Sequence, residues 1–181
     1  MTTISNPTRF SPETAKSIIA QFQTYDLEKL DALFKEGEVP VFSEIAERTA
    51  GGWLARSPQD YWWANAFIKI FLASPWARWA GKGFFTFFDQ KQEGKGANLF
   101  HNRIGEIRYP YKTYIKKAEV DENLCLTLEY PFGSIMYGLI DDLRKIEQGV
   151  FLGQMYYRFP WQKNRSYIGY FLLCALEEIK Q

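Results

Sequence analysis

From Gly51 onward the chain is a succession of short apolar stretches parted by short turn-rich links, and no other feature limits the fold so strongly. "GGWLAR", "GFFTFF", "ANLFHNRI", "EIRYPYKTYIKKAEV", "LCLTLEYP", "IMYGLIDDLRKI", "VFLGQMYYRF" and "SYIGYFLLCALEE" read as eight strands. Links such as "VDEN", "PFGS", "EQG" and "PWQKNRS" are too short for a crossover, so neighbouring strands should run antiparallel. Eight antiparallel strands are enough to close into a barrel, which removes the unpaired edges of an open sheet.

Helices come before and within this run. "SPET" places Ser11 at an N-cap, Pro12 at the first helical position and Glu13 in the first turn, and "SPQD" repeats the pattern with Ser57, Pro58 and Asp60. Ala15, Ile18, Ile19 and Phe22 then fall at helical spacing. Leu27, Leu30, Leu33 and Phe34 do the same in a second helix ending before Gly37. Ser43 is placed to cap a further short turn. Trp63, Phe67, Ile70 and Phe71 form the stripe of a helix from Ser57 to Ser74, inserted after the first strand. The expectation is an α+β protein of one structural domain. Residues 1–49 form a helical segment packed on a barrel of residues 50–181.

Composition narrows the function. The 22 basic and 21 acidic side chains nearly cancel, so no global field draws in nucleic acid. Cys125 and Cys174 lie far apart in apolar runs and read as small buried hydrophobes of a reducing, cytoplasmic setting. "MTTISNPTRF" lacks the apolar core of a signal peptide. Lys69, Pro75 and Arg78 interrupt the greasiest stretch before it reaches a membrane span. Aromatic residues make up 18% of the chain, which suits a heavy core or a cavity for an oily guest.

Strand parity supports a barrel with outside helices. Ile107, Tyr109, Tyr111, Thr113 and Ile115 share one face, while Arg108, Lys112 and Lys116 share the other, a solvated one. The last strand is apolar on both faces. Ile168, Tyr170, Leu172, Cys174 and Leu176 lie on one side, with Tyr167, Phe171, Leu173 and Ala175 on the other. One side can look into the barrel, and the other needs the N-terminal helices.

A Gly-x-Trp opening (Gly51 or Gly52, with Trp53), preceded by a helical turn and followed by antiparallel strands, resembles the calycin superfamily of lipocalins and fatty-acid-binding proteins. Ala55 stands where bacterial relatives carry a third glycine. The resemblance implies a barrel that holds a lipophilic small molecule such as a fatty acid, terpenoid or pigment. It also implies a late basic residue, Arg158 or Arg165, packed across the tryptophan. Fatty-acid-binding proteins hold a carboxylate with internal arginine and tyrosine, which by analogy makes Arg144, Arg158, Tyr130 and Tyr156 head-group candidates. Tyr109, Tyr111, Trp63 and Phe67 would line the cavity.

Chemistry is less legible. In "DDLRKI", Asp142 and Arg144 project to one face and Asp141 to the other. A surface ion pair is the plain reading, and Asp142 with Tyr130 is the candidate acid for a cofactor-free isomerase or cyclase. His101, the one histidine, is the candidate ligand for haem or another tetrapyrrole, as in nitrobindin-like barrels. No metal-ligand cluster, nucleophile motif or phosphate loop accompanies it, so no metal is expected. Trp62, Trp63, Trp76 and Trp79 suit a core stripe, a lid over the barrel mouth, or transient contact with a membrane surface.

Overall fold

The computed structural model describes residues 8–53, 66, 78–88, 93–101 and 107–177. Helices α1 (Pro12–Phe22), α2 (Leu27–Glu36) and α3 (Phe42–Ile45) precede the sheet. The strands are β1 (Glu47–Trp53), β2 (Trp79–Phe88), β3 (Glu93–Phe100), β4 (Ile107–Lys117), β5 (Leu124–Glu129), β6 (Leu139–Glu147), β7 (Val150–Tyr157) and β8 (Ser166–Ala175). Each strand pairs antiparallel with the next. β1 also pairs with β8, from Thr49 opposite Ala175 to Trp53 opposite Phe171, and this closes the barrel in chain order. An α+β protein with an eight-stranded antiparallel barrel fits a calycin-like fold in general. The inserted helix expected from Ser57 to Ser74 lies outside the described residues, apart from Ala66, which is helical.

Helix starts follow the sequence grammar. The Ser11 side chain accepts a hydrogen bond from the Thr14 amide, Pro12 opens α1, and Asp26 caps α2 through the Lys29 amide at 2.8 Å. The short α3 is an exception: Val41 holds the cap position, its amide donating to Glu44 Oε2 at 3.3 Å, and Ser43 lies inside the helix.

The wall divides two apolar clusters. Inward side chains include Phe84, Phe100, Tyr111, Leu126, Leu128, Tyr130, Leu139, Leu143, Phe151, Met155, Phe171 and Leu173. On the outside, Cys125, Val150, Leu152, Tyr170, Leu172 and Cys174 are covered by Ala15, Ile19 and Phe22 of α1 and by Leu30 and Phe34 of α2. The helices therefore bury the second face of β7 and β8. Each large side chain buried this way contributes about 1.5–3 kcal/mol.

Two bulges correct the simple alternation. In β8, Met155 pairs with Gly169 but Tyr156 pairs with Tyr167. The extra residue sends Ile168 into the lumen and leaves Tyr167 on the outer face beside Tyr170. In β4, Ala97 pairs with Pro110 and Asn98 with Arg108, which leaves Tyr109 as the extra residue at φ 53°. Tyr111 and Thr113 are buried and Ile115 packs against the lumen cluster, whereas Ile107 falls out of phase and is 55% exposed.

The Gly-Gly-Trp element ends β1 instead of opening it, because the strand begins at Glu47. Position 49/50, read as the edge of the barrel segment, thus lies within β1. Both glycines answer to close contact. A Cβ at Gly51 would lie 2.3 Å from the Trp79 ring inside the barrel, and one at Gly52 would lie 2.1 Å from Cγ2 of Ile19 on α1. One glycine lets an indole cross the lumen face of β1. The other lets α1 rest on the outer face.

Gly51→Ala and Gly52→Ala should each destabilise the protein by about 1–3 kcal/mol through overpacking, read from urea unfolding. Changes within about 0.5 kcal/mol would show that Trp79 and Ile19 yield freely. Burial pushes both Cys125 and Cys174 thiols up to about 12. Neither should react with a disulfide reagent until the protein unfolds, and stoichiometric labelling of native protein would show otherwise.

Candidate functional site

The lumen contains a charged cluster amid its rings. Trp79, Lys82, Asn98, Tyr130 and Asp141 are supplied by β2, β3, the residue following β5, and β6, and all are buried. Gly81 (φ 144°) sits at an irregularity between Trp79 and Lys82, so that both side chains turn inward from β2. Lys82 Nζ donates to Asp141 Oδ2 at 2.8 Å, to the Tyr130 hydroxyl at 2.9 Å and to Asn98 Oδ1 at 3.1 Å. Trp79 Nε1 donates to Asn98 Oδ1 at 3.0 Å, and Asn98 Nδ2 donates to the Tyr130 hydroxyl at 2.9 Å. Tyr130 in turn donates to Asp141 Oδ2 at 3.1 Å.

Aromatic faces surround the ammonium. Lys82 Nζ lies 5.1 Å from the ring centres of both Tyr111 and Phe171, and 5.6 Å from that of Tyr130. Tyr111 reaches this position across Gly96, where a Cβ would lie 2.6 Å from its ring, and donates to the Gly83 carbonyl at 3.1 Å. Burial pushes the Asp141 carboxyl up and the Lys82 ammonium down, each opposed by the other's charge. Burial also raises Tyr130 and Tyr111 well above the usual phenol range.

Among the described residues, two buried oxygens on the lumen side have no partner: Asp141 Oδ1 and Thr113 Oγ1. They share one rung of the wall, since Thr113 pairs with Leu128 and Leu128 with Asp141. Two inter-strand spacings place their backbones about 10 Å apart. An unpaired buried oxygen is costly, so this rung is where the wall can still accept a hydrogen bond.

The residues singled out from sequence divide sharply. Tyr130 and Tyr111 belong to the lumen cluster. Tyr109 is half-buried and edges onto Phe100 at 5.7 Å. Asp142, Arg144 and Tyr156 project outward. Asp142 accepts from the Thr127 hydroxyl at 2.7 Å and the Glu119 amide at 2.8 Å. Arg144 uses all five N–H groups: on Phe34 O, both Asp121 oxygens, Asn123 O and Leu124 O. It fastens α2 and the 118–123 turn to β6, which leaves no donor for a head group. Tyr156 donates to Gln154 at 2.7 Å. Met136 packs in the lumen from the turn before β6.

Arg158 is exposed at the start of the β7–β8 loop, and Arg165 pairs with Glu119 at 3.1 Å. His101 is exposed just after β3, outside the lumen cluster, and no group of metal-ligating side chains occurs among the described residues. Trp63 and Phe67 lie outside the described residues. Reading the sequence missed Lys82 and Asn98 and took Asp141 only as the neighbouring carboxylate of Asp142. The available signal was "WAGKGFF", a lysine held between two glycines inside an apolar run.

Removing one member of the buried pair, as in Lys82→Met, should cost about 3–5 kcal/mol, while Lys82→Met/Asp141→Leu should recover most of that loss. Additive losses in the double variant would separate the two residues energetically. On the outer face, hydrogen bonds from Arg144 hold the Asp121 carboxyl below its ordinary value. With its folded value depressed, this contribution is complete above the unfolded value and fades as pH falls through the folded one. Wild-type stability should therefore fall more steeply below about pH 4 than that of Asp121→Asn, and parallel curves would refute it.

No family model matches the chain, and no curated protein matches it. A solved structure described as "Crystal structure of protein from Thermomonospora curvata" is similar at 14% identity, over 91% of this chain and 97% of that one, with a TM-score of 0.49.

Proposed function

We propose that the protein binds and carries a lipophilic small molecule in its barrel, in the manner of calycins. The observation that carries this reading is the Lys82–Asp141–Tyr130–Asn98 cluster inside a lumen otherwise lined with rings and aliphatic side chains. A buried ion pair can often be replaced by apolar side chains without loss of stability. A polar cluster kept in a greasy interior, with an oxygen to spare, suits recognition of a guest's polar end. The two buried free thiols support a reducing, cytoplasmic setting.

The loops at one barrel end support a route of entry. Phe132 is 88% exposed and Trp161 is 79% exposed, with Ile135 and Tyr137 beside them. The Arg158 amide bonds to the Gly138 carbonyl at 3.0 Å and joins the two loops. Residues 130–138 and 158–165 hold no acidic side chain, and Arg158 and Lys163 are exposed. This combination suits transient contact with an anionic bilayer, from which an oily guest can be taken.

A second reading, cofactor-free isomerisation or cyclisation in the same lumen, is favoured by the opposed shifts of Asp141 and Lys82. Asp141 would be the acid or base, since Asp142 faces outward. Asp141→Asn would then abolish turnover of a candidate substrate with binding retained, and persisting turnover would clear Asp141 of that role.

Native mass spectrometry of protein taken directly from cells should show a co-purifying small molecule. Repeated recovery of empty protein that also ignores apolar fluorescent probes would end the carrier reading. Sedimentation with phosphatidylserine-containing vesicles, but not with pure phosphatidylcholine, should be lost in Phe132→Ser/Trp161→Ser. Equal sedimentation of both proteins would remove the loops from any membrane role.

A further inference from the structure

We propose that the head group taken by the lumen is a neutral hydrogen-bond donor, an alcohol, seated on Asp141 Oδ1, and that carboxylates are turned away. The inference rests on the lumen-binding reading and deepens it. Its basis is a count of donors and acceptors in the cluster. The three hydrogens of the Lys82 ammonium meet three acceptors: Asn98 Oδ1, the Tyr130 hydroxyl and Asp141 Oδ2. The Tyr130 hydroxyl donates once and accepts twice. Asn98 Oδ1 accepts from both Trp79 and Lys82. Asp141 Oδ2 accepts from both Lys82 and Tyr130. What remains is a lone acceptor, Asp141 Oδ1, together with the second hydrogen on Asn98 Nδ2.

An acceptor in a buried, otherwise satisfied network selects for donors. A fatty-acid carboxylate would bring a second anion against Asp141. Among the described residues no arginine joins the lumen cluster to meet it, because Arg144 is spent on the outer face. An alkylammonium is a donor as well. It would, however, set a second cation close to the Lys82 ammonium, which stands 2.8 Å from the other oxygen of the same carboxylate. A hydroxyl escapes both penalties. It donates to Oδ1 and adds no charge, while its hydrocarbon lies along rings such as Phe171, Tyr111 and Phe84. The orphaned Thr113 hydroxyl on the same rung offers a second polar contact further along the wall. Burial pushes the Asp141 carboxyl up, and a donor on Oδ1 favours its charged form.

The test compares four probes of one chain length, 1-dodecanol, dodecanoate, dodecylammonium and dodecane, by displacement of a fluorescent apolar probe from the full chain. Dodecanol should bind at least about tenfold more tightly than the other three, roughly the worth of one buried hydrogen bond. Asp141→Asn, which exchanges the charged acceptor for a neutral amide, should cut that advantage and leave dodecane binding unchanged. Lys82→Met/Asp141→Leu removes the pair together, guards against misfolding of the single variant, and should bind dodecanol and dodecane alike. Equal affinities in the wild type, or a preference for the acid or the amine, overturn the head-group assignment and leave the carrier reading standing. An alcohol preference that survives both variants moves the head group away from Asp141 and also overturns it. Failure of all four probes removes the carrier reading and this inference together.

Discussion

The constraint that organises this molecule is that β6, β7 and β8 are buried on both faces. A strand of this kind must look into a filled interior on one side and lie under another layer on the other. Closure of the barrel meets the first demand, and α1, α2 and the 118–123 turn meet the second. Residues one step apart, such as Asp141 and Asp142, therefore enter different environments although both are hidden from water.

Two charge systems on opposite faces of β6 follow from that division, and they differ in completeness. Outside, the guanidinium of Arg144 is fully bonded to one carboxylate and three backbone carbonyls, and Asp142 is bonded through both oxygens. Such a network fixes where helix and turn rest on the barrel. Inside, the cluster around Lys82 is equally dense, yet it leaves Asp141 Oδ1 without a donor. A closed network holds the fold in one arrangement, whereas an open one has capacity for something from outside. That difference separates the structural aspartate from the one suited to a guest.

Much of the fold was legible in the sequence because strand punctuation and helix caps are local. The eight strands, the Ser11 cap and the two-faced character of β8 all rest on residues close together in the chain. The direction of each face was not legible. Alternation shows that Asp142 and Arg144 share a side, but not whether that side is lumen or exterior, since apolar neighbours occur on both. Bulges add a second obstacle, because one extra residue at Tyr109 or Ile168 reverses parity with no mark in composition. Lys82 was hidden for a third reason. Flanking glycines make a buried lysine look like part of a turn, although Gly83 is what leaves room for the Phe85 ring two positions on.

The seam between β1 and β8 also governs when the architecture can come into being. Thr49 must find Ala175, 126 residues further along the chain, and α1 must wait for the same late strand before its apolar side has a seat. Pairings so remote in sequence are slow to form, on a scale of about milliseconds to seconds. A nascent chain leaving the ribosome thus carries an unfinished cylinder, with greasy ribbon edges bare, until β8 emerges. Loss of β8 would leave two open edges and an uncovered helical hairpin, which makes synthesis its most aggregation-prone period.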